Sequence, residues 1–176
     1  MIETERLVLR GWQEADKAPF LTMCSDPWVM EFLGPPLSQE ALDEMFERQN
    51  RHLAQTGHCF WVAERRDDGA FLGFCGIQPG PADTPIAGEI EIGWRLDHPY
   101  WGQGYAREGA QASLDWGWAN LDVPAIAAIT TVNNRRSRGL MERLGMARCP
   151  EDDFDHPRAA EAIRAHVTYR IAREHR

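Results

Sequence analysis

Between a β-rich run and a helical one lies Trp101-Gly102-Gln103-Gly104-Tyr105-Ala106. Glycine takes positive φ at little cost and leaves no Cβ in the path of a ligand. The helix that follows offers unpaired N–H groups and partial positive charge at its N-terminus. Together these make a cradle for an anion, a pyrophosphate above all. The stretch is not a dinucleotide fingerprint, because Arg107 stands where a third glycine belongs and no strand-end acid follows at the usual distance. Nor is it a P-loop, which needs Gly-Lys-Ser/Thr. Alone, a glycine turn ahead of a helix is common. One strand later, Asn134-Arg135-Arg136-Ser137 opens a second helix, with Asn134 a good N-cap. Arg135, Arg136, Arg138, Arg143 and Arg148 face one acid, Glu142, over 133–148. In a chain of net charge -8 that is a local positive field suited to phosphate.

These residues need a frame. Alternation of Leu7 and Leu9 with polar neighbours predicts a strand over 5–12. Helices are predicted over 14–24 and 38–55, the latter from the stripe Leu42, Met45, Phe46, Gln49 and Leu53. The stretch between them, with Asp26-Pro27 and Gly34 to Pro36, reads as a short helix or turn. Strands at 58–65 and 70–78 flank Asp67-Asp68-Gly69, a hairpin signal. Strand 88–96 sends Glu89 and Glu91 to one face and Ile90 and Ile92 to the other. A helix over 105–120, a strand over 125–132, a helix over 134–144 ending at Gly145, a strand near 146–149, an acidic loop over 150–160 and a strand over 165–172 complete the chain. This order predicts one α/β domain over 1–176, a mixed, mostly antiparallel sheet with helices on both faces. The strand-helix-strand unit 88–132 makes its two strands parallel neighbours.

The chain has 176 residues, 43% hydrophobic and 26% charged, enough for a core without staples. The acidic balance and the single lysine, Lys17, argue against nucleic-acid binding. No apolar run reaches membrane-helix length, and the N-terminus lacks a signal pattern, so a cytoplasmic location is expected. The four cysteines contain no C-x-x-C pair, and His58, His98 and His156 have no ligand spacing, so no metal is expected.

The two glycine and asparagine stretches together resemble the GNAT family of acyl-CoA-dependent N-acetyltransferases. Residues 101–106 look like its Q/R-x-x-G-x-G/A loop, with Trp101 departing at the first position, and Asn134 to Ser137 looks like its N-x-x-S helix. The opening ETERLVLR, the Asp26-Pro27 turn and the EIGW strand resemble the branch of ribosomal-protein alanine N-acetyltransferases. The resemblance implies acetyl-CoA as co-substrate, lying in a splay between strands 88–96 and 125–132. It places the pantetheine arm on backbone groups near Trp94, Arg95 and Leu96. The pyrophosphate falls on Gly102, Gln103, Gly104, Tyr105 and Ala106, with Asn134, Ser137 and Arg138 completing the cofactor contacts. An amine then attacks the thioester directly, in a ternary complex, which needs a base and a proton for the leaving thiolate. Glu91, or Glu89, is expected as base, with Glu91 preferred as the nearer to the splay. Ser137 is expected as donor and Tyr105 as the alternative. Trp28, Phe32, Trp61 and the acidic loop Glu151 to His156 are expected to border the acceptor. That acceptor is a protein N-terminus or a small amine such as an antibiotic or metabolite. A silent acyl-CoA sensor is the non-enzymatic alternative, and exposed edge strands allow a homodimer.

Overall fold

The computed structural model describes residues 1–35 and 37–173. These form a nine-stranded sheet in the order β1-β2-β3-β4-β5-β6-β9-β7, with β8 paired to β9 off that path. The strands are β1 (Ile2–Glu3), β2 (Leu7–Arg10), β3 (Phe60–Arg65), β4 (Phe71–Pro79), β5 (Ile90–Leu96), β6 (Ala125–Thr131), β7 (Ala147–Arg148), β8 (Phe154–Asp155) and β9 (Ala165–Ala172). The helices are α1 (Lys17–Met23), α2 (Pro27–Met30), α3 (Gln39–Thr56), α4 (Tyr105–Asn120) and α5 (Arg135–Arg143). The mixed, mostly antiparallel sheet expected from the sequence is present, and β5–β6 is its parallel pair.

Several boundaries differ from the expected ones. The helix expected over 14–24 begins as a single 3-10 turn at Glu14–Asp16, where the buried Asp16 carboxylate caps the Gln13 N–H and takes a two-pronged bond from Arg10. Strand 5–12 contracts to Leu7–Arg10, because Thr4 turns the chain back onto Leu7 and Trp12 leaves the ladder to donate to the Phe60 carbonyl. The strand near 146–149 shortens to Ala147–Arg148.

The parallel pair is short. Only Ile90↔Ile126 and Glu91↔Ala127 are in register. Beyond them β5 stays on β4 as far as Leu96, while β6 stays on β9 as far as Thr131. The sheet therefore opens into a V whose vertex is at Glu91.

Its two faces carry different layers. Ile77 and Ile126 meet α4 at Gly117, where an added Cβ would lie 3.0–3.1 Å from their Cδ1 atoms. Gly109 likewise sits against Cys75, so this helix rides low on the sheet. The C-terminal end of α5 reaches the same face, with Gly145 beside Ile171, the partner of Ile126. The opposite face takes Trp12, Phe20, Phe46 and Phe74, an edge-packed aromatic core under α1 and α3. Burial of these rings and of Leu7, Leu9, Leu42 and Leu72 supplies the main driving force for the fold. Among the described residues no helix is long and apolar enough to cross a membrane.

Candidate active site

A cleft of about 600 Å³ fills the V. One wall is the end of β5 with the loop after it, the other is the start of α5, and α2 with Phe32 and Leu33 forms the roof. Gly102 and Gly104 have φ of 73° and 86°, a left-handed conformation that favours glycine. A Cβ on Gly102 would meet nothing within 4 Å, so the loop faces open space. Among the described residues the N–H groups of Gly102 to Ala106 donate to no protein acceptor. They stand at the start of the 16-residue helix α4, whose dipole adds positive character. Loop and helix thus turn free N–H groups toward open space, the arrangement an anion cradle needs.

The cradle is braced from below by a residue that spacing alone does not flag. Arg6 donates through Nη1 to the Gln103 carbonyl (2.9 Å), pairs with Glu108 (2.6 Å) and lies 4.5 Å over the Tyr105 ring. Burial pushes Glu108 up, but hydrogen bonds from Thr4 and Arg6 outweigh it and hold its pKa below the ordinary value. Trp101, the departure from the motif, donates from Nε1 to the Leu96 carbonyl (2.7 Å) and ties the loop to the strand end.

That bond revises the expected backbone contacts. Gly80 N–H donates to Glu89 O at one end of the β4–β5 ladder and Asp97 N–H to Leu72 O at the other. Antiparallel alternation then turns the main-chain groups of Glu91, Gly93 and Arg95 toward β4 and those of Ile92, Trp94 and Leu96 toward the V. Trp94 can pair with an added extended arm. Arg95 offers only its side chain, and the Leu96 carbonyl is already taken.

Ser137 lies at the cleft wall, its N–H capped by Asn134 Oδ1 (3.1 Å). Among the described residues its hydroxyl has no protein partner. Asn134 also lines the cleft, with its amide nitrogen left over from the cap. Tyr105 lines the cleft but is buried under Arg6, with its hydroxyl beside Arg65. Gln103 and Arg138 are not on the cleft wall: the Gln103 amide bonds the Pro99 carbonyl, and Arg138 bonds Val132 O and Tyr169 Oη. Instead the wall carries Arg107, Arg135, Arg136 and Arg143. Arg136 is paired with Glu31 (2.6 Å) and lies 4.7 Å over the Trp101 ring, joining roof to wall.

The two strand glutamates have different fates. Glu89 accepts from Nε and Nη2 of Arg170, at 2.8 and 2.7 Å, and Nη1 of that guanidinium pairs with Asp152. Glu91 is 9% exposed, on the face opposite α4, with Gln78 as its hydrogen-bond partner (3.2 Å). Burial raises its pKa to about 7, the Gln78 bond opposing the rise. It stands behind the vertex of the V rather than on the cleft wall.

The expected acceptor border is corrected in part. Trp28 and Phe32 line the cleft, with Trp28 58% exposed. Trp61 is buried in the core against Trp116, because alternation in β3 sends it to the α4 face. In the acidic loop Asp153 pairs with Arg148 and Asp152 shares Arg170 with Glu89, while Glu151 and Asp155 are exposed. Among the described residues no group of three or more metal-ligating side chains is assembled.

Comparison with known proteins fits this arrangement. The family model described as an acetyltransferase (GNAT) domain matches residues 6–147. The uncharacterised protein YkkB of Bacillus subtilis is 32% identical over 81% of this chain and 83% of its own length. An acetyltransferase structure from Agrobacterium tumefaciens superposes with a TM-score of 0.81 at 27% identity, covering 98% of this chain and 94% of that one. At 17% identity the same fold, with a TM-score of 0.74 in each case, occurs in two coenzyme A complexes. One is RimL, a ribosomal α-N-protein acetyltransferase, covering 96% of this chain and 95% of that one. The other is spermidine N-acetyltransferase of Vibrio cholerae, with spermine also bound, covering 96% of both chains. A loop-and-helix cradle, a splayed parallel pair and a match over most of the chain agree: this protein belongs to the GNAT family of acetyltransferases.

Proposed function

We propose that this protein transfers the acetyl group of acetyl-CoA to a primary amine by direct attack, with Glu91 as base and Ser137 as proton donor. The observation that supports this most is the position of Glu91: a buried carboxylate with a pKa near neutrality at the vertex of the splay. The pyrophosphate rests on the N–H groups of Gly102 to Ala106, and Arg135 and Arg143 meet the remaining phosphate charge. The pantetheine arm pairs with the main chain of Trp94. A main-chain N–H facing the V, from Ile92 or Trp94, polarises the thioester carbonyl.

The amine nitrogen attacks the carbonyl carbon and its proton passes, through a water, to Glu91. The carbon–sulfur bond breaks as the carbon–nitrogen bond forms. The departing sulfur takes the Ser137 hydroxyl proton, which solvent replaces. Glu89 does not compete as base, because both of its carboxylate oxygens are bonded to Arg170.

The α-amino group of a protein is the first acceptor class, from the resemblance to RimL, and a small polyamine is the second, from the resemblance to spermidine N-acetyltransferase. Release of free thiol from acetyl-CoA is measured with peptides bearing free N-termini and with spermine. Turnover with one class and not the other assigns the acceptor. A thermal shift with acetyl-CoA but no thiol release with any amine would make the protein a silent acyl-CoA sensor and refute the enzymatic reading.

A further inference from the structure

Helix α3 buries a glutamine in its apolar stripe. Gln49 is 2% exposed, and its two amide atoms are both engaged. Its Oε1 accepts from the Phe60 main-chain N–H (2.8 Å), and its Nε2 donates to Gln78 Oε1 (3.0 Å). The Gln78 Nε2 in turn donates to Glu91 Oε2 (3.2 Å). Four elements, β3, α3, β4 and β5, are thus threaded by one chain of hydrogen bonds.

The chain has a fixed direction. A primary amide can be turned over, exchanging its acceptor for its donors. The Phe60 N–H can only donate, so Gln49 must present its oxygen there and its nitrogen to Gln78. Gln78 must then present its oxygen to Gln49 and its nitrogen to Glu91. The Phe60 N–H is itself available because β2 leaves β3 after Arg10↔Val62, so no strand partner reaches Phe60 on that side. Its carbonyl on the same side is taken by Trp12 Nε1. Edge termination of β2 therefore sets the polarity of a relay that ends at the vertex of the V.

We propose that Gln49 and Gln78 are positioning residues for Glu91: a one-way amide relay starting at the Phe60 N–H delivers a hydrogen-bond donor to Oε2 and leaves Oε1 to exchange the proton. This rests on the reading of Glu91 as the base. A donor at Oε2 favours the carboxylate over the carboxylic acid and works against the burial that raises its pKa. It also fixes the carboxyl plane, so the proton-accepting oxygen has one orientation. The charged groups on the same sheet face do not replace this control. Glu89 and Asp152 are both engaged by Arg170 from β9, and Arg95 lies four residues along the strand, against Phe20 and Phe74. From α3 it is the neutral Gln49 that reaches into the relay.

The test uses the full chain labelled with 13C at glutamate side-chain carboxyls, the Glu91 signal being the one lost in Glu91→Gln. Its titration is followed in wild type, Gln78→Met and Gln49→Met, beside pH–rate profiles with the amine that the thiol-release panel identifies. In Gln78→Met the Glu91 midpoint should rise by about one pH unit, a tenfold change in proton affinity, since a lost donor to a buried carboxylate acts on that scale. Gln49→Met should raise it less, because Gln78 keeps its place but is free to turn over. The acid limb of kcat/KM should move with the midpoint. Both variants should keep the acetyl-CoA thermal shift, showing an intact fold; if Gln49→Met does not fold, Gln78→Met decides alone. An unmoved Glu91 midpoint in folded Gln78→Met overturns the relay. A midpoint that moves while the acid limb stays fixed supports the relay and refutes Glu91 as base.

Discussion

Replacing Glu91 by Gln should make the protein more stable and less active at once. The carboxyl is almost fully buried, and burial lifts its pKa from 4.5 to about 7. An acid whose pKa is raised on folding binds protons more tightly in the folded state. Its cost to stability is absent below pH 4.5, grows as pH rises from 4.5 to 7, and is constant above. At about 1.4 kcal/mol per unit, the full cost above pH 7 is on the order of 3 kcal/mol. Glutamine has no proton to lose and keeps the shape, so Glu91→Gln should recover most of that at pH 8.5 and almost none at pH 4.5. For a chain of this size 1 kcal/mol is worth about 2–4 °C in Tm, so the difference should show as several degrees. Scanning calorimetry of both proteins at a series of pH values measures it. Turnover should meanwhile fall by about 10²–10⁴, least at high pH where free amine forms unaided. A Tm difference that is the same at pH 4.5 and 8.5 would mean the carboxylate is solvated, and the argument for a perturbed base would fail.

Other substitutions probe the rest of the cleft. Acetyl-CoA at about 100 times its Kd should stabilise the wild type by about 2.7 kcal/mol, and Gly104→Val should abolish that thermal shift, since its φ of 86° suits no branched side chain. Arg135→Ala and Arg143→Ala should weaken CoA more than dephospho-CoA, by an amount that shrinks with added salt, as calorimetric titration will show. Arg138→Ala, whose guanidinium is engaged by Val132 and Tyr169, should affect the two ligands alike. Ser137→Ala should lower kcat less than Glu91→Gln does, because a thiolate leaves readily and water can replace the hydroxyl. Asp16→Ala should cost about 1–3 kcal/mol in denaturant melts, because it removes the cap on Gln13 and one of the two carboxylate partners of Arg10, which keeps Glu64.

Legibility in the sequence follows the range of each interaction. Helix α4 matches its expected span, because Gly104 and the stripe of Ala110 and Leu114 are local signals. The Asp67-Asp68-Gly69 hairpin is local too, as is the N-cap of Asn134. What could not be read is what crosses the sheet. Alternation put Glu89 and Glu91 on one face, but only the register with β9 shows that Arg170 claims one and spares the other. Gln49 is placed by periodicity in an apolar stripe, yet its partners come from two distant strands. Trp61 shares the aromatic character of the cleft lining but points into the core, a matter of strand parity that β3's start at Phe60 decides. The bracing by Arg6 spans about a hundred positions and leaves no trace in spacing.

The low seat of α4 turns a packing detail into leverage. A helix is stiff along its axis, so its height above the sheet at Gly109 and Gly117 also sets the height of its first turn. An alanine at Gly117 would push against Ile77 and Ile126, tilt the rod, and displace the anion cradle at the far end without touching any ligand. On the proposed function, affinity for acetyl-CoA is in this sense geared to two missing methyl groups. Variation at those positions would surface as altered binding, and only secondarily as altered folding.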